Sequence, residues 1–341
     1  MPLNQPAIST LDDFRALLRS LPGPDAAAEA AWAAREPQLT KPAGSLGRIE
    51  EIARWLCTWQ GRHPPRLDRP RAVVFAGNHG VAALGVSAFP SEVTAQMVAN
   101  FESGGAAINQ ICRAFDVALS IQALDLARPT ADFTRGPAMT EGELVEALAC
   151  GLGAVPADAD VLCLGEMGIA NTTAAAAVCH ALFGDAAGDW CGRGTGVADD
   201  GLARKVEVVA AGVAANRTDD PLEILRRVGG RELAAIAGAI VGARLRRVPV
   251  LLDGFVCTAA AAPLHAALPG ALDHCLVAHL SAEAGHRRLA ARLGQRPLLD
   301  FDMRLGEASG AALAVAVLRA AAACHNGMAT FAEAGVSDRD A

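Results

Sequence analysis

Residues 161–178 read VLCLGEMGIANTTAAAAV, and the order of residue types in this stretch decides the fold. Val161–Leu164 is an apolar run without polar alternation, the pattern of a strand covered on both faces. Gly165-Glu166-Met167-Gly168 breaks the run, and an Ala-rich stretch of helix-forming residues follows. Strand, polar loop and helix in that order are the mark of an α/β protein.

Working outward, the same order recurs. Ala72–Ala76 leads into Gly77-Asn78-His79-Gly80, Val248–Leu252 into Asp253-Gly254, and Cys275–Ala278 into His279-Leu280-Ser281. Leu298–Asp302 leads into Arg304-Leu305-Gly306-Glu307, and Val117–Gln122 reads as a further strand. Five loops therefore place polar residues just past the C-terminal end of a strand, the edge at which open parallel sheets bind ligands. Asn78, His79, Glu166, Asp253, Ser281, Glu283 and Glu307 are expected to converge on one crevice there.

The first seventy residues read as helical. Thr10 caps a helix over Leu11–Leu21, a second follows Pro24, and Ser45 caps a third that ends at Gly61. His63-Pro64-Pro65 then reads as a linker. Thr140 caps a helix running into Cys150, and Leu202, Val206 and Val209 share one face of another.

Composition narrows the function classes. Of 341 residues, 52% are hydrophobic and only 4% aromatic, with no Tyr, which provides no stacking surface for nucleic acid. The net charge of −7, without a basic run, argues against a polyanionic partner. Nine cysteines without a C-x-x-C pair read as reduced thiols buried as small hydrophobes. The most apolar stretch, Ala311–Cys324, is interrupted by Arg319 and is shorter than the ~20 residues of a membrane span. The first residues lack a basic, then apolar, leader pattern, so a cytoplasmic location is expected. Of thirty basic residues only Lys41 and Lys205 are lysine, which reads either as two positions that require a compact ammonium or as chance retention.

The familiar nucleotide motifs are absent: there is no G-x-G-x-x-G and no Walker A loop. Gly192-Arg193-Gly194-Thr195-Gly196 reads either as an anion loop, with Arg193 and Lys205 supplying charge, or as a turn. Glu283-x-x-His286 has the spacing of two ligands on one helix face, but no other pair has zinc-ligand spacing, so no metal is expected. No G-x-S-x-G elbow exists either. The carboxylates remain: Glu166 and Glu307 each follow a strand, inside a glycine-bearing loop, at the start of a small-residue helix.

At these loops the sequence resembles the nicotinate-nucleotide–dimethylbenzimidazole phosphoribosyltransferase family. The matching segments are KPAGSLGRIE (41–50), GNHGV (77–81), GVSAFPSEVTAQMVANFESGGAAIN (85–109), GEMGIANTT (165–173) and GRGTG (192–196). They continue with DGF (253–255), HLSAEAGH (279–286), MRLGEASGAA (303–312) and MATFAEAGVS (328–337), in family order over nearly the whole chain. Three positions depart from the family pattern: Asn78 where Asp is frequent, Ala170 where GIGNTT is usual, and GEASG where GEGTG is common.

The resemblance implies a Rossmann-like, mostly parallel sheet flanked by helices, with a small helical lobe. Residues 1–65 would form part of that lobe, 66–310 the α/β catalytic domain, and 311–341 a C-terminal helix and tail returning to the lobe. It implies transfer of the 5-phosphoribosyl group from nicotinate mononucleotide to 5,6-dimethylbenzimidazole, by a homodimer without a cofactor. The catalytic residue would be Glu307. Nucleotide-binding positions would be Glu166, Gly168, Ile169, Asn171, Thr172, Gly192, Arg193, Gly194, Lys205 and Ser281, and the base pocket would form around Ser87, Gln96, Met97 and Leu305. Alternatives are the same scaffold with another acceptor, such as adenine, a phenol or a different benzimidazole, or a nucleotide-binding protein without turnover.

Overall fold

The aliphatic runs form strands because each buries both of its faces. A computed structural model of the chain describes residues 8–194 and 196–337. Its strands are β1 (Pro70–Ala76), β2 (Ala118–Ala123), β3 (Val161–Met167), β4 (Val250–Leu252), β5 (Cys275–Val277), β6 (His279–Leu280) and β7 (Leu299–Asp300). The first five form one sheet in the order β2-β1-β3-β4-β5, with every neighbouring pair parallel. β6 and β7 pair in parallel, and the Leu298 N–H donates to the Val277 carbonyl at 3.0 Å, so this short pair continues the sheet beyond β5.

Side chains alternate across the sheet with the period of a strand. Val73, Phe75, Leu162, Leu164, Val250 and Leu252 enter one core. Ala72, Val74, Val161, Cys163 and Leu251 enter the other. Helices Glu141–Ala154, Asn171–Phe183, Arg231–Leu245 and Phe255–Ala267 fill the first, while Arg48–Gln60, Ala107–Ala114 and Ser309–Gly327 fill the second. Strand order reverses direction between β1 and β3, so the loops that follow these two strands part to opposite faces and open a crevice.

One helix pair sits closer than side chains allow. A Cβ added at Gly151 would stand 1.8 Å from the Ala235 carbonyl oxygen, and one at Gly238 would stand 2.1 Å from that of Leu148. The backbones of Glu141–Ala154 and Arg231–Leu245 thus touch through glycine, which explains two glycines inside otherwise good helices.

The chain ends meet on the second face. Leu39 bridges Thr330, and Arg35 donates to the carbonyls of His325, Asn326 and Met328. Lys41 Nζ lies 2.9 Å from Glu36 Oε1 and 2.8 Å from Glu50 Oε1 in a buried cluster, and Glu36 also binds His325 Nδ1 at 2.6 Å. A point-like ammonium serving two carboxylates gives this lysine a physical reason that an arginine fork would not meet.

Two details differ from the sequence reading. The first helix spans Leu11–Arg19, stopping two residues earlier because Leu21-Pro22 cannot continue it, and its Leu11, Phe14 and Leu18 enter the main core instead of the terminal cluster. The helix Arg48–Gln60 starts after Gly47, not at Ser45; Ser45 is inside a turn whose N–H donates to the Pro42 carbonyl, and Glu50 Oε1 receives the Leu46 N–H instead. The second helix, Ala26–Arg35, follows Pro24 as expected, with Asp25 as its cap.

Substituting Gly151→Ala should lower stability by about 1–3 kcal/mol despite alanine's better helix propensity, since the clash is with backbone. Gly142→Ala, in the first turn of the same helix with nothing within 4 Å, should be neutral or slightly stabilising. Urea denaturation of both variants separates crowding from propensity.

Candidate active site

The crevice at the β1/β3 switch point is a cleft open to solvent. Its walls come from the C-terminal ends of the strands: Val86 and Ser87 beyond β1, Glu166–Thr172 after β3, Gly254–Val256 after β4, His279, Ser281 and Glu283 after β5, and Arg304–Gly306 after β7. Gly194 and Val197 close one side.

The floor is built for an anion. The helix Asn171–Phe183 points its N-terminus into the cavity, where the helix dipole favours negative charge, although the Asn171 and Thr173 N–H groups already donate to the Gly168 and Ala170 carbonyls. Lys205, 1% exposed, donates to Thr172 Oγ1 at 2.8 Å and to the Gly192 carbonyl at 3.1 Å. Burial pushes its pKa down, while the carboxylate of Glu283 acts to hold the charge. The second lysine thus stands behind the hydroxyl and glycine loop that line the site.

Beside this floor lies a group of buried carboxyls. Glu307 is 5% exposed, and burial raises its pKa to about 7. Its N–H donates to the Glu166 carbonyl at 3.2 Å, locking the loop to the end of β3. Burial, then the charges of Asp253 and Glu232, lift the Glu166 pKa well above the ordinary carboxylate range, while the Asn171 amide opposes this by donating to Glu166. Asp253 accepts the Ala311 N–H at 2.9 Å, and burial still raises its pKa to about 7. Of the three, Glu166 lines the cavity, whereas Glu307 lies just behind the wall, next to Gly306, which lines it.

The backbone that presents Glu307 is strained. Gly306, Glu307 and Ala308 take φ of +85°, +64° and +64°, three consecutive left-handed residues. Gly306 is required twice, by its φ and because a Cβ there would stand 2.5 Å from Glu166 Oε1. Ala170 also has a left-handed φ, +74°. Both alanines occupy positions where the resembled family commonly carries glycine, so this chain bears a local strain of about 1 kcal/mol at each.

The structure brings together Ser87, Glu166, Gly168, Ile169, Asn171, Thr172, Gly194, Ser281 and Leu305 as cavity walls. Gly192 and Lys205 lie one layer behind. Arg193 turns away, pairing with Asp199 and donating to the Val197 carbonyl, because it precedes the helix Asp199–Ala215, whose acidic first turn attracts it. Thr195 lies outside the described residues. Gln96 and Met97 do not reach the cavity: on helix Glu92–Ser103, Gln96 faces outward and Met97 packs on the second core.

The expected convergence of seven polar residues holds for only part of the set. His79 points inward to Glu232 Oε1 at 2.5 Å, and Asn78 donates to the Leu126 carbonyl at 3.0 Å. Glu283 precedes the helix His286–Arg292 and shares no face with His286, whose Nδ1 accepts the Ser281 N–H. Among the described residues, no group of three or more His, Cys, Asp or Glu is arranged to hold a metal ion. Arg304 was missed; its position beside Leu305 in the β7 loop was the available signal.

Because burial raises the Glu307 pKa from 4.5 to about 7, ionising it opposes folding: its favourable state is complete below 4.5 and lost as pH rises through 7. Glu307→Gln should therefore be more stable than the parent by about 2–3 kcal/mol at pH 8 but by only about 1 kcal/mol at pH 5. Chemical denaturation at the two pH values checks the sign.

Comparison with known proteins agrees with this architecture. A family model described as "Phosphoribosyltransferase" matches residues 21–336. The chain is 61% identical to a nicotinate-nucleotide–dimethylbenzimidazole phosphoribosyltransferase of Ruegeria pomeroyi, covering 98% of this chain and 99% of that one. It is 57% identical to the protein so named in Sinorhizobium medicae, over 96% of this chain and 97% of the relative. The crystal structure of a nicotinate-nucleotide–dimethylbenzimidazole phosphoribosyltransferase from Thermus thermophilus superimposes with a TM-score of 0.85 at 43% identity, covering 92% of this chain and 99% of that chain.

Proposed function

As the chain belongs to the nicotinate-nucleotide–dimethylbenzimidazole phosphoribosyltransferase family, we propose that it moves the 5-phosphoribosyl group of nicotinate mononucleotide onto 5,6-dimethylbenzimidazole, with inversion at C1′ and Glu307 as general base. The products are nicotinate and α-ribazole 5′-phosphate. The observation that carries this reading is the buried Glu307 carboxyl, held behind the cavity wall next to Gly306 and raised by burial to about 7, near the helix N-terminus at Asn171.

The chemistry asks for one base and little else. In the mononucleotide the nicotinate ring is already a pyridinium, so it departs without being protonated. The incoming benzimidazole is neutral, with one imine nitrogen and one N–H. As the imine nitrogen bonds to C1′, the C1′–pyridinium bond breaks, its electron pair stays with nicotinate, and positive charge spreads over the benzimidazole. The N–H then becomes acidic, and a carboxylate beside it stabilises the charge and takes the proton. Attack opposite the departing ring inverts C1′ and gives the α linkage.

Each neighbour has a part. Burial and the neighbouring carboxyls push the Glu166 pKa well above the ordinary carboxylate range, which disfavours a second negative charge beside Glu307. The N-terminus of Asn171–Phe183, Thr172 with Lys205 behind it, and Ser281 would hold the 5′-phosphate. Val86 and the exposed side chains of Leu305 and Phe89 offer apolar surface for a flat base. Fixing both rings about one carbon supplies much of the remaining rate. The protein acts as a homodimer in this reading.

The direct test is incubation with nicotinate mononucleotide and 5,6-dimethylbenzimidazole, following nicotinate release and product identity, with adenine and phenols as competing acceptors. Glu307→Gln should keep the fold and lower turnover by about 10²–10⁴. The parent kcat/KM should rise with pH and level off above about 7, and the variant should lose this limb; a variant keeping more than roughly a tenth of the rate would remove Glu307 from the role. Lys205→Ala should weaken the mononucleotide far more than the benzimidazole, and equal losses would argue against a phosphate contact.

A further inference from the structure

The donor and the cavity pose a charge problem. Nicotinate mononucleotide brings a phosphate at one end and a ring carboxylate at the other, into a cavity whose own walls include the carboxyls of Glu166 and Glu283. The phosphate end has its donors in the helix N-terminus, Thr172 and the sealed ammonium of Lys205. Nothing there serves the ring carboxylate. His279 lines the cavity, but burial pushes its pKa down, leaving a neutral ring.

Arg304 is the one permanently charged cation lining the cavity among the described residues. It stands at the mouth, exposed, one residue from Leu305 and three from Glu307, on the loop where the rings must sit. Its Nη1 donates to the Gly194 carbonyl at 3.1 Å, which lays the guanidinium across the opening. That is its only hydrogen bond among the described residues, so Nε and Nη2 keep free donors at this exposed position. A planar guanidinium with two free N–H groups matches a planar carboxylate in a bidentate pair.

We propose that Arg304 binds the carboxylate of the leaving pyridine ring and thereby makes the enzyme select nicotinate over nicotinamide mononucleotide. This rests on the donor assigned under Proposed function. Nicotinamide has an NH₂ where nicotinate has an acceptor oxygen, so it opposes donor to donor and loses the charge-assisted pair. Hydrogen bonds to charged partners set the discrimination at about 10- to 100-fold.

The test compares Arg304→Gln and Arg304→Lys with the parent, using nicotinate and nicotinamide mononucleotides at saturating 5,6-dimethylbenzimidazole. The glutamine variant should lose about 10- to 100-fold in kcat/KM with the nicotinate donor, mainly through KM, and less than about 3-fold with the nicotinamide donor. The lysine variant should recover part of the loss, since it keeps charge without the fork. Equal losses on both donors would instead assign Arg304 to the phosphate, and unchanged rates on both donors would give it no part; either outcome overturns the proposal. A second readout does not need turnover: calorimetric binding of free nicotinate and nicotinamide in the presence of ribose 5-phosphate. The parent should prefer nicotinate and the glutamine variant should not. If the parent transfers no ribosyl group at all, the assigned reaction fails, while these binding data still decide the role of Arg304.

Discussion

Glu307 is held out of water without a cation to pair with it, and the rest of the site is arranged around that constraint. Removing a carboxylate from water without compensation opposes its ionisation, so its pKa climbs until it titrates near neutrality. The burial that tunes the group follows from the fold. The Glu307 N–H is tied to the C-terminal end of β3 through the Glu166 carbonyl, and Ala308 packs against Gly165 on the same strand. A loop after β7 is thereby stitched to the centre of the sheet.

That stitching strains the backbone, and this chain bears more of the strain than glycine would require. Three left-handed residues in a row, two of them carrying side chains, persist only where the surrounding packing over-determines them. Here the helix Ser309–Gly327, buried along most of its length on the second face, supplies that packing. Asp253 reinforces it by accepting an N–H from the first turn of the same helix. Stability spent in this way keeps the Glu307 carboxyl in one place, as the proposed catalysis by positioning would demand.

The two lysines show how far composition can be read and where it stops. Their survival in an arginine-rich chain marked both as special, and both prove to be buried or nearly so. Their tasks differ. Lys205 stands behind the anion floor, whereas Lys41 joins Glu36 and Glu50 where the two ends of the chain meet. Residue type showed that a compact cation was needed at each; only the neighbours show that one serves a cavity and the other a structural cluster. His79 is the converse case. Its place after a strand suggested the crevice, yet a buried glutamate on the helix Arg231–Leu245 drew it inward.

The sequence by itself determined the strands, the edge of the sheet at which ligands gather, and the loops that would meet there. These follow from local rules: unbroken apolar runs need two covered faces, and glycine-rich polar loops mark where strands end. The tertiary structure alone decided which members of those loops face the cavity. Gln96 and Arg193 turn away, Asn78 and His79 face inward, and Arg304 crosses the opening to Gly194. Orientation depends on partners far along the chain, a glutamate at 232 for His79 or a carbonyl at 194 for Arg304. No local pattern encodes distances between residues more than a hundred positions apart.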